Sequence, residues 1–318
     1  MFLNKLRLLI SVLVLVISSS ASIAQESWAQ WRGSQRTGII ENSHWPSSFD
    51  KTNLAPLWTS NFGPSYSGPL IVDGLVYTTE TKDKKWEIVT AIDLNTGVKR
   101  WEKKWDGAMA VPFYAKANGD WIRATPAIHK GRLYVAGMRD LLVCLDAKTG
   151  KDLWNKDFVK EFKTPLPSFG YVSSPLPDGD FIYVQAGGGL VKLNAETGEI
   201  LWRSLGDKGG TYGAAFSSPI IETLHGERQL IVQTRQFLAG LDMDSGFVLW
   251  KQEVPAFRGM NIITPCLYKS GFFVSTYGGG TYYFEIQKTD TGYQSTEKWK
   301  TTVQGYMSTP IIIGQYAY

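Results

Sequence analysis

The residue types suited to chemistry are few in this sequence, and their spacing answers most of the questions they raise. His44, His129 and His225 share no metal-ligand spacing, and the last two sit in or beside turns, so they read as surface histidines. Asp242 and Asp244, with Gly246 and a glutamate at the twelfth position (Glu253), imitate part of a calcium loop. The glycine such a loop needs at its sixth position is Phe247, and sister segments with the same pattern read as turns. Two glycine runs, Gly187 to Gly189 and Gly278 to Gly280, have no helix after them to complete a phosphate cradle and read as tight turns. Cys144 and Cys266 lie in distant segments and are expected as free thiols rather than a disulfide.

The elements that would position any site come from a repeat. Four segments align without gaps: Ile92 to Trp101, Leu145 to Trp154, Leu193 to Trp202 and Leu241 to Trp250, each carrying Asp or Asn, then Thr or Ser, then Gly, then Trp four residues on. With a degraded copy ending at Trp299, the tryptophans are spaced 53, 48, 48 and 49 residues apart, and Trp58 marks a partial unit upstream. Such a period means a propeller or a solenoid. Before each segment stands a small residue and a proline, then a glycine turn: Gly68-Pro69, Thr125-Pro126, Ser174-Pro175, Ser218-Pro219, Thr264-Pro265 and Thr309-Pro310. The runs after the turns, such as Phe181 to Val184, are continuous and apolar, as strands buried on both faces require.

Each unit therefore reads as four strands: A after the proline, B after the glycine turn, C ending at the Asp, and D carrying the Trp. The Asp bonds amides across the C to D turn, the glycine takes φ > 0, and the indole fills the gap to the next blade with its N–H on a backbone acceptor. Trp101, Trp154, Trp202 and Trp250 are expected in equivalent positions of successive blades, largely buried, with Trp58 and Trp299 as further docking tryptophans.

The segment Leu145-Asp-Ala-Lys-Thr-Gly-Lys-Asp-Leu-Trp154 resembles the tryptophan-docking motif of pyrroloquinoline-quinone-like (PQQ-like) propellers, a family of quinoprotein dehydrogenases and outer-membrane assembly propellers. The resemblance runs from Trp58 to Tyr318 and implies an all-β propeller of four-stranded antiparallel blades. The repeat signals count five full blades and part of a sixth, and since rings of this family close with seven or eight blades, the propeller is expected to be incomplete, truncated at its C-terminal end. The opening Trp28-Ala-Gln-Trp31-Arg32-Gly33 resembles the start of large secreted members.

Residues 1–24 read as a signal peptide: Lys5 and Arg7 precede an apolar run from Leu8 to Ile17, and small residues end at Ala24. That run is too short to span a bilayer, and no later segment is apolar enough to do so. No cysteine follows Ala24 to carry a lipid, so a periplasmic or extracellular protein is expected, with 25–57 a lead-in and 58–318 the propeller. The formal charge of +4 drops by two with the signal, and the remaining charges are interspersed, which excludes a nucleic-acid patch.

In a propeller the B to C and D to A loops share one face around the axis, and there the repeats differ. From B to C that face receives Arg139, Asp140, Arg235, Gln236 and Tyr277. From D to A it receives Arg123, Tyr171, Tyr212, Phe216, Arg258 and Asn261. Aromatics and arginines in one funnel suit a peptide, a glycan or an anionic cofactor. The haem motif Cys-x-x-Cys-His and the adjacent cysteines of the family's alcohol-oxidising members are absent. The expectation is a non-catalytic module for a protein or envelope polymer, without a cofactor; the alternative is a dehydrogenase using PQQ with calcium.

Overall fold

The computed structural model describes residues 27–40, 46–52, 54–207 and 216–318. The signal-peptide reading and His44 lie outside them.

Five units fold as four-stranded antiparallel meanders, and a sixth as two strands. Unit 1 comprises β1 (Leu70–Val72), β2 (Leu75–Lys82), β3 (Trp86–Asp93) and β4 (Lys99–Asp106). Unit 2 comprises β5 (Ala127–His129), β6 (Arg132–Gly137), β7 (Leu141–Asp146) and β8 (Asp152–Asp157), followed by the one-turn helix α1 (Phe158–Phe162). Unit 3 is β9 (Leu176–Asp178), β10 (Phe181–Ala186), β11 (Gly189–Asn194) and β12 (Ile200–Ser204). Unit 4 is β13 (Ile220–Leu224), β14 (Glu227–Gln233), β15 (Phe237–Leu241) and β16 (Val248–Glu253). Unit 5 is β17 (Cys266–Tyr268), β18 (Gly271–Thr276), β19 (Gly280–Thr289) and β20 (Gly292–Thr301), and β21 (Ile312–Ile313) and β22 (Tyr316–Ala317) form unit 6. The core divides accordingly into four large apolar clusters, one between each neighbouring pair of units from 1 to 5.

Hydrogen bonds join the inner strands. The amide of the residue before each proline donates to the hydroxyl of its counterpart in the next unit: Gly68 to Thr125 (3.0 Å), Thr125 to Ser174 (3.1 Å), Ser174 to Ser218 (2.9 Å), Ser218 to Thr264 (3.2 Å) and Thr264 to Thr309 (3.2 Å). The hydroxyl, rather than smallness alone, explains the Ser or Thr before proline. The lead-in adds a second tie. Trp28 bridges to Ile71, Ala29 accepts from the Ile128 amide, and Arg32 donates to the carbonyls of Thr309 and Pro310 (2.8 and 2.7 Å). Arg36 is buried and donates to the carbonyls of Ser174, Pro175 and Pro219.

At the rim, the C to D turns close as read: Asp93, Asp146 and Asp242 each accept from the Thr or Ser amide and hydroxyl three residues on, and Asn194 accepts the corresponding amide. Asp242 is thus spent on its turn. The turn glycine also serves as a seat for the preceding unit's indole. A Cβ on Gly97 would lie 2.7 Å from the Trp58 ring, one on Gly150 2.6 Å from Trp101, and those on Gly198 and Gly246 2.7 Å from Trp154 and Trp202. The indoles of Trp101 and Trp154 donate to Ala147 and Ala195 in the next unit, where the strand-B tyrosines Tyr77 and Tyr134 donate to the same carbonyls.

The tryptophans are less uniform than the sequence implies. Trp58, Trp101, Trp154 and Trp202 are half-buried, because one ring edge of an outermost strand faces solvent. The Trp202 indole makes no hydrogen bond; Tyr183 and Lys192 take the Met243 carbonyl it would use. Trp250 is fully buried but bonds Gln229 of its own sheet and stacks on Phe272, since unit 5 offers no Asp-x-x-Thr-Gly turn to receive it. There the long β19–β20 hairpin clasps unit 4 instead, with His225 on the Ile286 carbonyl and Tyr293 on Glu227. Trp299 is 44% exposed, against Tyr283 and Phe273 of its own sheet.

Some A to B turns also shift. Asp73-Gly74, Lys130-Gly131 and His225-Gly226 have φ > 0 at both central residues, but units 3 and 6 place Gly179 and Gly314 first in the turn, and unit 5 turns on Lys269 and Ser270. His129 bonds the Gly179 carbonyl of the neighbouring turn (2.8 Å). Cys144 is buried, Cys266 half-buried, and both are free.

Two buried carboxylates latch loops on the B to C face. Glu87 of unit 1 accepts from the Met138 amide of unit 2 and from the Trp105 indole, both at 2.7 Å. Asp140 of unit 2 accepts from the Gly187 amide of unit 3 (2.8 Å). Burial pushes Glu87 up to about 7 and Asp140 up to about 6, against the opposing pull of those amides.

The first prediction concerns ring seating. Gly150→Ala combines left-handed backbone strain with a clash against Trp101, about 2 to 4 kcal/mol together. Gly131→Ala has similar φ but open space around it, and loses only the backbone part, about 1 to 2 kcal/mol. Equal losses in chemical denaturation would remove the ring from the argument. The second concerns Glu87. A raised folded-state value means that the folded protein holds the proton more tightly, so this contribution is complete below the unfolded value and is lost as pH rises toward about 7. Glu87→Gln, which keeps the shape without the charge, should gain on the parent protein by about 1 to 3 kcal/mol between pH 4.5 and 8. Denaturation curves whose difference does not move with pH would contradict a buried titration.

Candidate functional site

The connectors that run from strand D to the next strand A are irregular and carry aromatic side chains to the axis. A 3-10 turn at Phe113–Asn118 follows unit 1, α1 follows unit 2, and a second 3-10 turn at Phe257–Gly259 follows unit 4. Tyr114, Phe169, Phe216, Arg258 and Met260 converge from four connectors around an axial space of about 40 Å³. Phe169 and Phe216 lie 5.7 Å apart, centroid to centroid.

The residues expected on this face divide into two groups. Arg139, Gln236 and Arg258 are exposed, and Arg123, Phe216, Arg235 and Tyr277 are half-buried at the surface. Arg123 lies over the Tyr66 ring and donates to the Gly119 carbonyl; Arg235 pairs with Asp207 at 2.9 Å; Tyr277 packs edge-on against Tyr306 and Phe257. Asp140, Tyr171 and Asn261 are no more than 2% exposed. Asp140 is the loop latch described above, and Asn261 donates to the carbonyls of Thr234, Arg235 and Val254, so these two hold loops rather than present themselves, whereas the buried Tyr171 hydroxyl has no hydrogen-bond partner among the described residues. Tyr212 lies outside the described residues.

The sequence reading passed over the most exposed part of this face. Phe113 is 83% exposed and Phe257 50%, with Tyr114, Leu166, Tyr306 and Met307 also open to solvent. The signal for them was large apolar residues in stretches without strand alternation, such as Val111-Pro-Phe-Tyr114. A cleft of about 720 Å³ opens between units 1 and 2. Its walls are apolar (Met109, Trp121 and Leu166) and its rim is charged (Lys84, Asp120 and Arg139). Trp121 is held there between Gly119 and the Tyr66 ring.

PQQ is a flat tricarboxylate, and a site for it must offer several cations and room for three fused rings. The axial space offers Arg258 among four apolar side chains and is about tenfold smaller than ordinary small-molecule sites of roughly 300 Å³ or more. This space, as the described residues line it, does not fit the quinone. Cys144, within β7, is buried and its thiol pushed up to about 12.

Similarity to known proteins follows the repeat. The chain is 30% identical over 141 residues to a quinohemoprotein alcohol dehydrogenase of Comamonas testosteroni, covering 42% of this chain and 19% of that protein. It is 31% identical over 163 residues to the quinoprotein alcohol dehydrogenase PedH of Pseudomonas putida, covering 47% and 25%. The chain thus spans a quarter or less of the length of these curated relatives. Among solved structures it superposes on BamB from Moraxella catarrhalis with a TM-score of 0.56 at 18% identity, covering 79% of this chain and 66% of that one. It superposes on the Comamonas testosteroni dehydrogenase with a TM-score of 0.53 at 18% identity, covering 93% and 50%. These superpositions establish a β-propeller. The family model described as outer membrane protein assembly factor BamB matches residues 85–318, all of units 2 to 6 and β3 and β4 of unit 1, and the chain belongs to that family of PQQ-like repeat propellers.

Proposed function

We propose that this chain is a non-catalytic binding propeller that works outside the cytoplasm and receives a protein partner on its B to C and D to A face. The observation that carries this reading is the set of exposed apolar side chains on the connectors, Phe113 and Phe257 foremost. Solvent-exposed aromatics of this size lower the free energy of a partner's binding when covered, at about 25 cal/mol per Å². The family's description as an outer membrane protein assembly factor supports a polypeptide over the envelope polymer also compatible with such a face. The alternative, a PQQ-dependent dehydrogenase with calcium, rests on the names of relatives that this chain covers in part, and the axial residues do not suit the quinone. Among the described residues no helix is long and apolar enough to cross a membrane.

Site-specific photo-crosslinking tests the reading. Benzoyl-phenylalanine placed at position 113 or 257 should give discrete protein adducts in the cells that produce the chain. The same probe at positions 98 and 247, equally exposed apolar sites on C to D turns, should give none. Uniform labelling, or dye reduction on adding PQQ and calcium to the purified protein, would overturn it.

A further inference from the structure

We propose that the cleft between units 1 and 2 is the primary docking point on this face, seating an aromatic or branched aliphatic side chain of an extended peptide whose neighbouring residue is acidic. The inference rests on the binding-propeller reading and adds a place and a partner chemistry to it.

The cleft stands apart from the small space of about 40 Å³ that the described D to A connectors leave among Phe169, Phe216 and Met260. Arg32 and Arg36 spend their donors on inner-strand carbonyls, while Phe169, Phe216 and Met260 close the connector side. A volume of about 720 Å³ admits a few side chains but no folded domain, which favours an extended segment. Its apolar wall combines a fixed plane and an adaptable surface. Trp121 is clamped between Gly119 and Tyr66, whereas Met109 has an unbranched thioether that reshapes around a guest. A rigid aromatic wall lowers the ordering cost of binding, and the exposed Phe113, Tyr114 and Leu166 nearby in the same connectors extend the apolar area beyond the anchor.

Charge selects the neighbour of that anchor. Arg139 fixes its Nε on the Ala108 carbonyl at 3.2 Å, and its half-exposed guanidinium stands 4.0 Å from Asp106, the outer limit of an ion pair. A carboxylate from a partner would meet those Nη donors in the bidentate geometry that guanidinium favours, with Lys84 on the same rim. Asp120 is answered within the chain by the field of Arg123. Around the rim Asp83 and Asp120 stand against Lys84 and Arg139, so there is no run of cations to hold a polyanion, and a single carboxylate beside an apolar anchor fits where nucleic acid or an anionic polysaccharide does not.

A random heptapeptide library displayed on phage and panned on the whole protein tests this. The enriched pool should pair an aromatic or branched residue with Asp or Glu, and should lose at least tenfold in retention on Met109→Asp and on Arg139→Glu. Met109 packs against Val111 and Met138, so the exposed Arg139→Glu variant, shown by thermal melting to be folded, keeps the test valid if Met109→Asp is not. A pool that binds both variants as well as the parent but is lost on Phe257→Asp overturns the cleft and leaves the binding reading standing. No enrichment over bare support overturns both.

Discussion

The interaction on which the structure depends is the hydrogen bond handed from one inner strand to the next, amide to hydroxyl, at the residue before each proline. A four-stranded sheet with apolar faces has no stability alone; it must be covered on both sides by its neighbours. Proline holds the preceding residue extended, which fixes the direction of its amide, and the Ser or Thr of the next unit supplies the acceptor at a constant place. Because Thr125, Ser174, Ser218 and Thr264 each donate to one neighbour and accept from the other, a unit cannot slide along its neighbour without breaking the bond that joins them. The register of the four apolar clusters between units follows from that constraint.

Inner strands are also edge strands, and their axis-facing carbonyls would otherwise stand unpaired. The lead-in resolves this with two arginines. Burial pushes the Arg36 guanidinium down to about 9, so it remains charged at neutral pH, and its positive fork is shared among carbonyls of units 3 and 4. Arg32 serves unit 6 and the backbone at Trp28 and Ala29 serves units 1 and 2. One short segment therefore bonds units that do not touch each other.

The periodic features were legible because each arises from a local rule: glycine where φ is positive, aspartate where a turn needs an acceptor, tryptophan where blades diverge. Long-range partners were not. Nothing near Arg36 in sequence announces that its carbonyls lie 138 and 183 residues away. Asp140, Tyr171 and Asn261 were read as presented polar groups because loop residues ordinarily face water. Close to the axis, however, the wedge between units narrows, and polar loop groups are pressed onto neighbouring backbone, Asp140 onto the next unit's Gly187 amide and Asn261 onto carbonyls of unit 4. Trp250 has a separate cause at the rim: without a glycine seat in unit 5 the ring turns into its own sheet, a change that the regular spacing of tryptophans could not reveal.

The same geometry separates what is fixed from what is free on the molecule. Toward the axis several polar loop groups find a partner on neighbouring backbone and become structural, and the carboxylates Glu87 and Asp140 are drawn into the loops they hold. Farther out the units diverge, and a connector long enough to cross the gap must carry its own apolar residues without a facing blade to cover them. Phe113, at 83% exposure, is such a residue. The recognition surface proposed for this chain accordingly lies off the axis, where the repeat geometry leaves a gap between units 1 and 2 and an irregular connector rather than a repeated strand decides what lines it.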